Sequence, residues 1–488
     1  MSLAVSTIVD RTFTPGSDAA AIAQLQESIA LQKAAFRRNP YPSAAERTAH
    51  LQALAGMLIG NRAKIRAAVA EDFGTHPDEF TDLIEILAPA GRAMLAIESL
   101  ADWMADDERP ADPALFGSAR AVMRCEPKGV IGNMAPWNFP FEIGCGPLVE
   151  MLAAGNRVIL KPSDLTPACG EVMAEIVAQT FDRDHVTVAA GGLELARAFS
   201  AQPWNHLMYT GSPGIGREVM RAAAEHLVPV TLELGGKCPA LLTESGVNAD
   251  AAESIIGTKL IKNGQMCVTV DHVLVPRAQM AEFVRLVQEF ASRTVPEHSR
   301  TPDCTGMITE RHLTRITDML DEARQSGAQV VELEPGDDVD PDGRRMALSL
   351  VLNPGPRLRL SREEIFGPIL PIIPYDSLDE AVAGIDAQDR PLAVYVFGQD
   401  HEECESVLRR TSSGGACINA CALQGAVPSL GFGGSGTSGT GRHHGIEGFR
   451  EFSNPRGVVT RGDGDNLDVL YPPYDEKVRS IIDAAFGG

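Results

Sequence analysis

Short apolar stretches of strand length alternate with stretches of helical length through the first half of this 488-residue chain. The predicted strands cover 129–134, 157–160, 186–189, 206–209 and 230–234, and the predicted helices among them cover 143–154, 167–180 and 215–226. This alternation predicts an α/β fold with a parallel sheet covered by helices on both faces. Ligands bind such sheets at the carboxyl ends of the strands, so residues at those ends are the first candidates for a site.

Helices precede this region, and a second alternation follows it. Apolar spacing predicts a helix over about 19–38, a capping box opens another helix at Ser43, and 78–104 is helical again. From about 235 to 420 the pattern returns, with helices over 281–294 and 313–326 and a strand over 393–397. Because the chain exceeds the usual size of one domain, at least two domains are expected.

The segment 430–439 is too rich in glycine for regular structure. It predicts a loop whose glycines adopt positive φ or let two backbones approach closely, with a flexible linker as the alternative. His443 and His444 follow in the same Gly-rich context, and we predict a surface loop for them rather than a metal site.

Composition argues against several classes of function. The net charge of −22 disfavours nucleic acid and anionic membranes as partners. The sequence has no run of about 18 apolar residues and no charged-then-apolar start, so neither a membrane anchor nor a secretory signal is expected. Nine cysteines without a CxxC pair indicate reduced thiols in the cytoplasm, and no Cys/His spacing predicts a metal site.

Three residues offer covalent chemistry at a carbonyl group. Cys267 follows a Gly-Gln turn, Glu233 precedes a Gly-Gly bend, and Asn138 lies in Pro-Trp-Asn-Phe-Pro. They supply a nucleophile, a base and an amide donor for an oxyanion. Each also has a plainer interpretation, because a cysteine is often an inert core residue, a strand-end glutamate often forms an ion pair, and an asparagine between prolines often only makes a turn.

Three further segments could hold a dinucleotide. The run 209–216 follows a strand and opens a helix, so its amides can face a pyrophosphate, although its spacing is not G-x-G-x-x-G. Lys161 and Asp164 follow another strand and could hold the hydroxyls of a ribose. Glu364 and Phe366 offer a carboxylate for a second ribose and an aromatic edge beside a nicotinamide.

Together these segments resemble the aldehyde dehydrogenase superfamily over roughly residues 20–475. The motifs Pro-Trp-Asn-Phe-Pro, Lys-Pro-Ser-Asp, Thr-Gly-Ser, Leu-Glu-Leu-Gly-Gly-Lys, Gly-Gln-x-Cys and Glu-Glu-Ile-Phe-Gly-Pro occur in the order typical of that family. The resemblance implies a Rossmann-like NAD-binding domain, an α/β catalytic domain and a β-hairpin that bridges subunits.

The same resemblance assigns Cys267 as the nucleophile, Glu233 as the general base and Asn138 as the oxyanion ligand. The cofactor-binding residues that it implies are Pro136, Trp137, Lys161, Ser163, Asp164, Gly211, Ser212, Gly216, Leu234, Glu364 and Phe366. It implies no metal.

The resemblance also implies where the domains begin and end. Residues 1–232 would form the NAD(P)-binding domain, with a strand at about 114–127 that belongs to the oligomerisation element. Residues 233–425 would form the catalytic domain, and 426–488 would return to the NAD domain and end in the oligomerisation and C-terminal tail. A homodimer is the expected assembly.

Within the family, the runs 225–233, 442–449 and 470–474 are similar to a class 3-like branch that includes coniferyl aldehyde dehydrogenases. This similarity implies oxidation of an aromatic or phenylpropenal aldehyde to a carboxylic acid through a thiohemiacetal and a thioester. A medium- or long-chain aliphatic aldehyde is the alternative substrate. The presence of a base disfavours transfer to coenzyme A, and the complete catalytic set disfavours a non-enzymatic binding protein.

The chain departs from the family pattern in several places. Asp164 stands where the family usually has glutamate. The shorter acid leaves room for a 2′-phosphate, so NADP is an alternative to NAD as the cofactor. Lys262 and Asn263 replace the usual Asn-Ala, and 420–424 lacks the usual Asp- and His-bearing stretch. Glu142 and Cys145 are expected at the mouth of the substrate channel, in place of commoner neutral residues. These departures leave the particular aldehyde open.

Overall fold

The computed structural model describes residues 18–334, 339–340 and 343–487. The N-terminal stretch on which the expectation about a secretory signal rests lies outside these residues. The first segment contains helices α1 (Asp18–Arg38), α2 (Ala44–Gly60), α3 (Arg62–Phe73), α4 (Asp78–Phe80), α5 (Ala88–Met104) and α6 (Pro113–Phe116), and strands β1 (Asp107–Arg109) and β2 (Arg120–Pro127). A π-helical stretch, Thr81–Leu87, joins α4 to α5.

The helices predicted before residue 110 are confirmed, and so is the capping box. The Ser43 hydroxyl accepts a hydrogen bond from the Glu46 amide, and the Glu46 carboxylate accepts one from the Ser43 amide. The strand expected over about 114–127 begins only at Arg120. The residues before it form α6, because the Asp112 side chain caps a helical turn there by accepting from the Ala114 amide.

The first sheet confirms the predicted α/β alternation. Its elements in chain order are β3 (Val130–Met134), α7 (Pro140–Ala153), β4 (Arg157–Lys161), α8 (Pro167–Thr180), β5 (Val186–Val188), α9 (Leu193–Ser200), β6 (His206–Gly211), α10 (Pro213–Ala224) and β7 (Val230–Leu234). These five strands are parallel, in the order β7-β6-β3-β4-β5. The loops after β7, β6, β3 and β4 therefore follow one another along one edge of the sheet.

Four residues separate β7 from β8, the first strand of a second large sheet in chain order. Its region comprises β8 (Pro239–Leu242), α11 (Ala249–Leu260), β9 (His272–Pro276), α12 (Met280–Thr294), α13 (Glu310–Gln325), β10 (Gln329–Glu332), β11 (Val339–Asp340), β12 (Arg345–Met346), β13 (Ser349–Leu352), α14 (Arg359–Arg362), β14 (Ile369–Tyr375), α15 (Leu378–Asp386), β15 (Ala393–Phe397), α16 (His401–Arg410) and β16 (Gly415–Ile418). The order is β10-β13-β14-β9-β8-β15-β16, and only β10 pairs antiparallel.

The C-terminal segment returns to the first sheet. It contains α17 (Leu423–Ala426), β17 (Gly439–Thr440), α18 (Gly445–Glu451), β18 (Ser453–Thr460) and α19 (Glu476–Ala485). β17 pairs antiparallel with β7, and β18 pairs along its whole length with β2 in a three-stranded sheet completed by β1.

The Gly-rich segment before β17 is an ordered loop that needs its glycines. Gly439 has φ of +141°, and a Cβ there would collide with the Leu232 carbonyl on β7. A Cβ at Gly434 would collide with the Ser438 carbonyl. The prediction of close backbone approach is thus confirmed, and the alternative of a flexible linker is wrong.

Each large sheet has its own apolar core. One core lies among α2, α5, α7, α8 and the first sheet, and another lies on the second sheet under α11 and α12. Within the described ranges, no helix is both long and apolar enough to cross a membrane.

Candidate active site

A cleft of about 260 Å³ lies where the two large sheets meet. The first sheet lines it with residues that end or follow its strands, and the second sheet lines it with segments that precede β9 and β14. Ten of the predicted site residues line this cleft: Pro136, Trp137, Asn138, Gly211, Ser212, Glu233, Leu234, Cys267, Glu364 and Phe366. Lys161, Ser163, Asp164 and Gly216 do not line it.

Cys267 follows a tightly constrained turn. Lys262 and its two successors adopt left-handed φ values of 47°, 53° and 77°. The third of them is Gly264, where a Cβ would collide with the Gly367 carbonyl. Gln265 is fully buried, and its side chain donates to the Lys262 carbonyl at 2.9 Å. Lys262 and Asn263 are not glycines, so their left-handed backbone conformations are strained and lower the stability of the fold. The contacts around the turn must offset this strain.

The environment of Cys267 keeps its thiol protonated in the resting protein. Burial raises the pKa of the Cys267 thiol well above its usual value, and the nearby carboxylates of Glu233 and Glu364 raise it further. A thiol with a raised pKa is a weak nucleophile and needs a base beside it.

Asn138 lies in the loop between β3 and α7 and is 4% exposed. Its Nδ2 donates to the Gln265 carbonyl at 3.2 Å, which uses one of the two amide hydrogens and leaves the other free to donate. Its own carbonyl accepts from Lys262 Nζ, which pairs with Glu85 at 2.7 Å. Glu85 in turn accepts from two amides in the first turn of α7. This buried chain of contacts ties the asparagine loop to the cysteine turn.

Glu233 lies on β7 and is 2% exposed. Its Oε2 accepts from the Thr210 hydroxyl at 3.4 Å and lies 3.5 Å from His443 Nε2. No lysine or arginine of the described ranges pairs with this carboxylate, which argues against the plainer ion-pair interpretation. The surface-loop prediction for His443 and His444 is wrong, because they are 3% and 4% exposed. The pairing of β17 with β7 carries both histidines into the protein.

Glu364 and Phe366 lie on the segment before β14. Glu364 accepts from the Gly236 amide at 3.1 Å, and burial raises the pKa of this carboxyl to about 7. Phe366 has φ of +52° and packs edge-on against Trp137 with ring centroids 5.3 Å apart. Asp271 holds the segment by accepting from the amide between these two residues at 3.0 Å.

Sequence reasoning missed two residues of α13 that line the cleft, His312 and Arg315. Arg315 donates to the carbonyls of Glu364 and Ile365, so it fixes the segment that presents Glu364. His312 packs edge-on against Trp137, and burial lowers the pKa of His312 to about 4. Neither residue belongs to a motif, and about 50 residues separate Arg315 from the carbonyls that it holds, so no local signal could have identified them.

The residues expected at a pyrophosphate lie at the beginning of α10. Ser212 caps this helix through its hydroxyl, which accepts from the Ile215 amide at 3.5 Å. Gly211 precedes it, and a Cβ at Gly211 would collide with the Tyr209 hydroxyl. Gly216 is buried one turn into α10, where a Cβ would press into the Leu234 side chain, so it contributes close packing.

The residues expected at the adenosine ribose follow β4. Lys161 is 4% exposed, and its Nζ donates to the carbonyls of Pro162 at 3.0 Å and Gly191 at 3.3 Å. Burial lowers the pKa of Lys161. Ser163 accepts from the Leu165 amide through its hydroxyl, and Asp164 is half-buried beside it. These side chains lie beyond the cleft that holds Cys267.

Of the two departures predicted at the channel mouth, one lies in the core. Cys145 is fully buried in the core of the first sheet, because α7 turns it inward, so its predicted place at the mouth is wrong. Glu142, one turn earlier, pairs with Arg92 of α5 at 2.9 Å, and burial raises the pKa of Glu142. Arg92 also lies 3.6 Å from Glu150, which makes a buried charge cluster that sequence reasoning missed.

Known proteins are similar to this chain over most of its length. The sequence model of the aldehyde dehydrogenase family matches residues 13–458. The chain belongs to the aldehyde dehydrogenase family. A relative from Caulobacter vibrioides, named "Probable coniferyl aldehyde dehydrogenase", is 40% identical over 466 residues, which cover 94% of this chain and 96% of the relative.

Two solved structures share the fold of this aldehyde dehydrogenase. The substrate-bound state of Staphylococcus aureus AldH is 30% identical with a TM-score of 0.89, and the match covers 95% of this chain and 99% of that one. The Mycobacterium tuberculosis aldehyde dehydrogenase complexed with NAD+ is 28% identical with a TM-score of 0.81, and the match covers 90% of each chain. The family and the fold together make this protein an aldehyde-oxidising enzyme.

Proposed function

We propose that this aldehyde dehydrogenase oxidises an aromatic or phenylpropenal aldehyde, such as coniferaldehyde, to the carboxylate by a covalent route on Cys267. The observation that carries the proposal is the cleft that brings together a cysteine from one sheet and a glutamate and an asparagine from the other. The named activity of the Caulobacter vibrioides relative supports the substrate class.

In the first half of the reaction, the thiol of Cys267 gives its proton to the Glu233 carboxylate, and the sulfur adds to the aldehyde carbon. The carbonyl oxygen becomes an oxyanion, to which the second Asn138 Nδ2 hydrogen and the Cys267 amide donate. One such donor typically lowers the barrier by about 3 kcal/mol. When bound, NAD+ supplies the acceptor for the hydride that leaves the same carbon.

In the second half, the acyl group leaves Cys267 as an acid. Glu233 first releases to solvent the proton that it took from Cys267. It then takes a proton from water through Oε1, which is buried and accepts no hydrogen bond within the described ranges. The water oxygen adds to the thioester carbon, the carbon–sulfur bond breaks, and the electron pair returns to the sulfur of Cys267. The product is a carboxylate.

The residues around the cleft fit a nicotinamide dinucleotide. The helix α10 begins at the cleft behind a glycine and a serine, and free amides at a helix N-terminus attract phosphate. Glu364 is buried beside the cleft and can accept from the hydroxyls of the nicotinamide ribose. Lys161 and Asp164 lie further along the sheet edge, where they can hold the adenosine ribose. The Mycobacterium tuberculosis structure, complexed with NAD+, supports NAD+ as the cofactor, and NADP+ remains the alternative to test.

We also propose a cytoplasmic homodimer. All nine cysteines are free, which supports a reducing compartment. The strand β18 is an edge of the three-stranded sheet, and its Val459 is 65% exposed, which supports pairing with a second copy. We assign residues 1–232 to cofactor binding, 233–425 to catalysis, and 426–488 to the return to the first domain and the tail.

The test is an assay of cofactor reduction with coniferaldehyde, benzaldehyde, hexanal and decanal, run with NAD+ and NADP+ on wild type and Cys267→Ala. We expect turnover of the aromatic aldehydes with NAD+ and none in the variant. Preference for decanal would overturn the substrate class and keep the mechanism. Turnover by Cys267→Ala would overturn the covalent route, and an acyl-coenzyme A product in reactions with added coenzyme A would overturn the hydrolytic second half.

A further inference from the structure

The two oxygens of the Glu233 carboxylate lie in different surroundings. Oε2 is held between the Thr210 hydroxyl at 3.4 Å and the imidazole of His443 at 3.5 Å. Oε1 accepts no hydrogen bond within the described ranges, although it is buried. A carboxylate anchored through one oxygen presents the other in a fixed direction, as a base requires.

The backbone explains how His443 reaches this position. Gly439 of β17 pairs with Glu233 of β7, so the chain that leaves β17 runs beside the carboxylate. The backbone of His443 then exchanges two hydrogen bonds with that of Phe432, at 2.7 and 2.8 Å. Its ring packs edge-on against Phe432 at 5.4 Å and against His444 at 4.4 Å. Main chain and ring contacts therefore fix the imidazole at the level of Oε2.

No other group in the described part of the chain holds a nitrogen of His443. Both ring nitrogens are buried without a hydrogen-bond partner there, and an unpaired buried polar group is costly. Arg92 near this ring pairs with Glu142 at 2.9 Å, and it lies 3.6 Å from Glu150, whose Oε2 accepts no hydrogen bond within the described ranges. Among the described residues, Glu233 Oε2 at 3.5 Å is the carboxylate oxygen within ion-pair distance of a His443 ring nitrogen, and hydrogen bonds at catalytic groups often shorten once substrate is bound.

We propose that His443 is a positioning residue for Glu233. In the tautomer with its proton on Nε2, it donates to Oε2 and turns the free Oε1 toward the water that attacks the thioester. This inference rests on the proposed role of Glu233 as the base and deepens it. His443 itself touches neither the acyl group nor the water, so it acts only through Glu233.

The experiment compares two replacements of His443. His443→Phe keeps the ring and its packing but has no donor, whereas His443→Gln keeps an N–H donor near the position of Nε2. The readout is the decay of the acyl group on Cys267, followed by intact-protein mass spectrometry after rapid mixing with aldehyde and NAD+. We expect this decay to slow roughly 10- to 100-fold in His443→Phe, as for loss of a hydrogen bond to a charged group, and to recover to within about 3-fold of wild type in His443→Gln.

Steady-state kinetics add an independent readout. The first half needs only a proton transfer from Cys267 to either oxygen of Glu233, so kcat/KM in His443→Phe should stay within about 2-fold of wild type. The second half needs Oε1 turned toward water, so kcat and KM should fall together. A merely structural role would lower kcat/KM as well. If His443→Phe does not fold, His443→Met replaces it, since methionine fills irregular space without donating.

A double-mutant comparison with Glu233→Gln separates this inference from the proposed function. If His443 acts through Glu233, then His443→Phe adds no further slowing to Glu233→Gln. Unchanged acyl decay in Glu233→Gln would overturn the role of Glu233 and with it this inference. Slow decay in Glu233→Gln with normal decay in His443→Phe would overturn the His443 inference alone, and so would equal slowing by His443→Phe in both backgrounds.

Discussion

Replacement of Lys262 by methionine tests how the cleft is held together. Lys262 and Glu85 are both fully buried, and they pair at 2.7 Å beneath the asparagine loop. Lys262 Nζ also lies 4.3 Å from the centre of the Phe139 ring and 4.6 Å from that of Phe73. Methionine has a similar length and suits this apolar surrounding, so the substitution removes the charge and the donor with little change in volume.

The expected loss of unfolding free energy follows from the contacts that Glu85 keeps in this variant. Without Lys262, this carboxylate keeps two hydrogen bonds from backbone amides of α7 but loses the one cation that pairs with it among the described residues. Loss of one partner of a buried ion pair costs about 3–5 kcal/mol of unfolding free energy. The double variant Lys262→Met/Glu85→Gln leaves no buried charge, and its glutamine oxygen can still accept from those amides. It should therefore be more stable than Lys262→Met alone.

Urea unfolding of wild type, both single variants and the double variant at neutral pH measures this cost. We expect a loss of about 3–5 kcal/mol in Lys262→Met and a smaller loss in Lys262→Met/Glu85→Gln, which serves as the matched control. A loss below about 1 kcal/mol in Lys262→Met, or a double variant no more stable than Lys262→Met, would refute the reasoning.

Three further predictions concern the cofactor side of the cleft and the end of the chain. Because the pKa of Glu364 is raised to about 7, its carboxylate gains charge as pH rises through that value, so affinity for NAD+ in calorimetric titrations should rise with it. Glu364→Gln should remove this dependence. In Gly235→Ala, a Cβ would collide with the Glu364 carboxylate, so the KM for NAD+ should rise about 10-fold or more, and an unchanged KM would contradict the assigned contact. In Gly439→Ala, positive φ and the collision with the Leu232 carbonyl should lower the unfolding free energy by at least about 1–3 kcal/mol, and unaltered thermal unfolding would show that β17 tolerates a side chain.

The sequence predicts the first sheet well because its signals are local. Each strand is a short apolar run, and helices that begin at Pro140, Pro167 and Pro213 follow such runs. Residues that follow these strands then fall at one edge of the sheet by geometry alone, which is why Asn138 and Gly211 could be placed in a common cleft.

The positions of the site residues on the second sheet could not be predicted in this way. Cys267 and Glu364 lie before the strands β9 and β14, on the amino side, where the rule about carboxyl ends does not place a site. Their motifs identified them, through resemblance, but their approach to Glu233 depends on how two sheets pack. The buried partners Glu85, Arg92 and His443 escaped prediction for the same reason, since each meets its partner across a long stretch of chain.

The pairing of β17 with β7 also bears on how the enzyme is made. Gly439 follows its pairing partner Glu233 by about 200 residues, so the ribosome needs roughly 10–40 s at ordinary elongation rates to deliver it. Until then β7 is an exposed edge strand of the first sheet. His443, which lies beside Glu233, has not yet been translated. The nascent chain therefore contains Cys267 before Glu233 is held in position. The enzyme can become catalytically active only when the last tenth of the polypeptide has emerged.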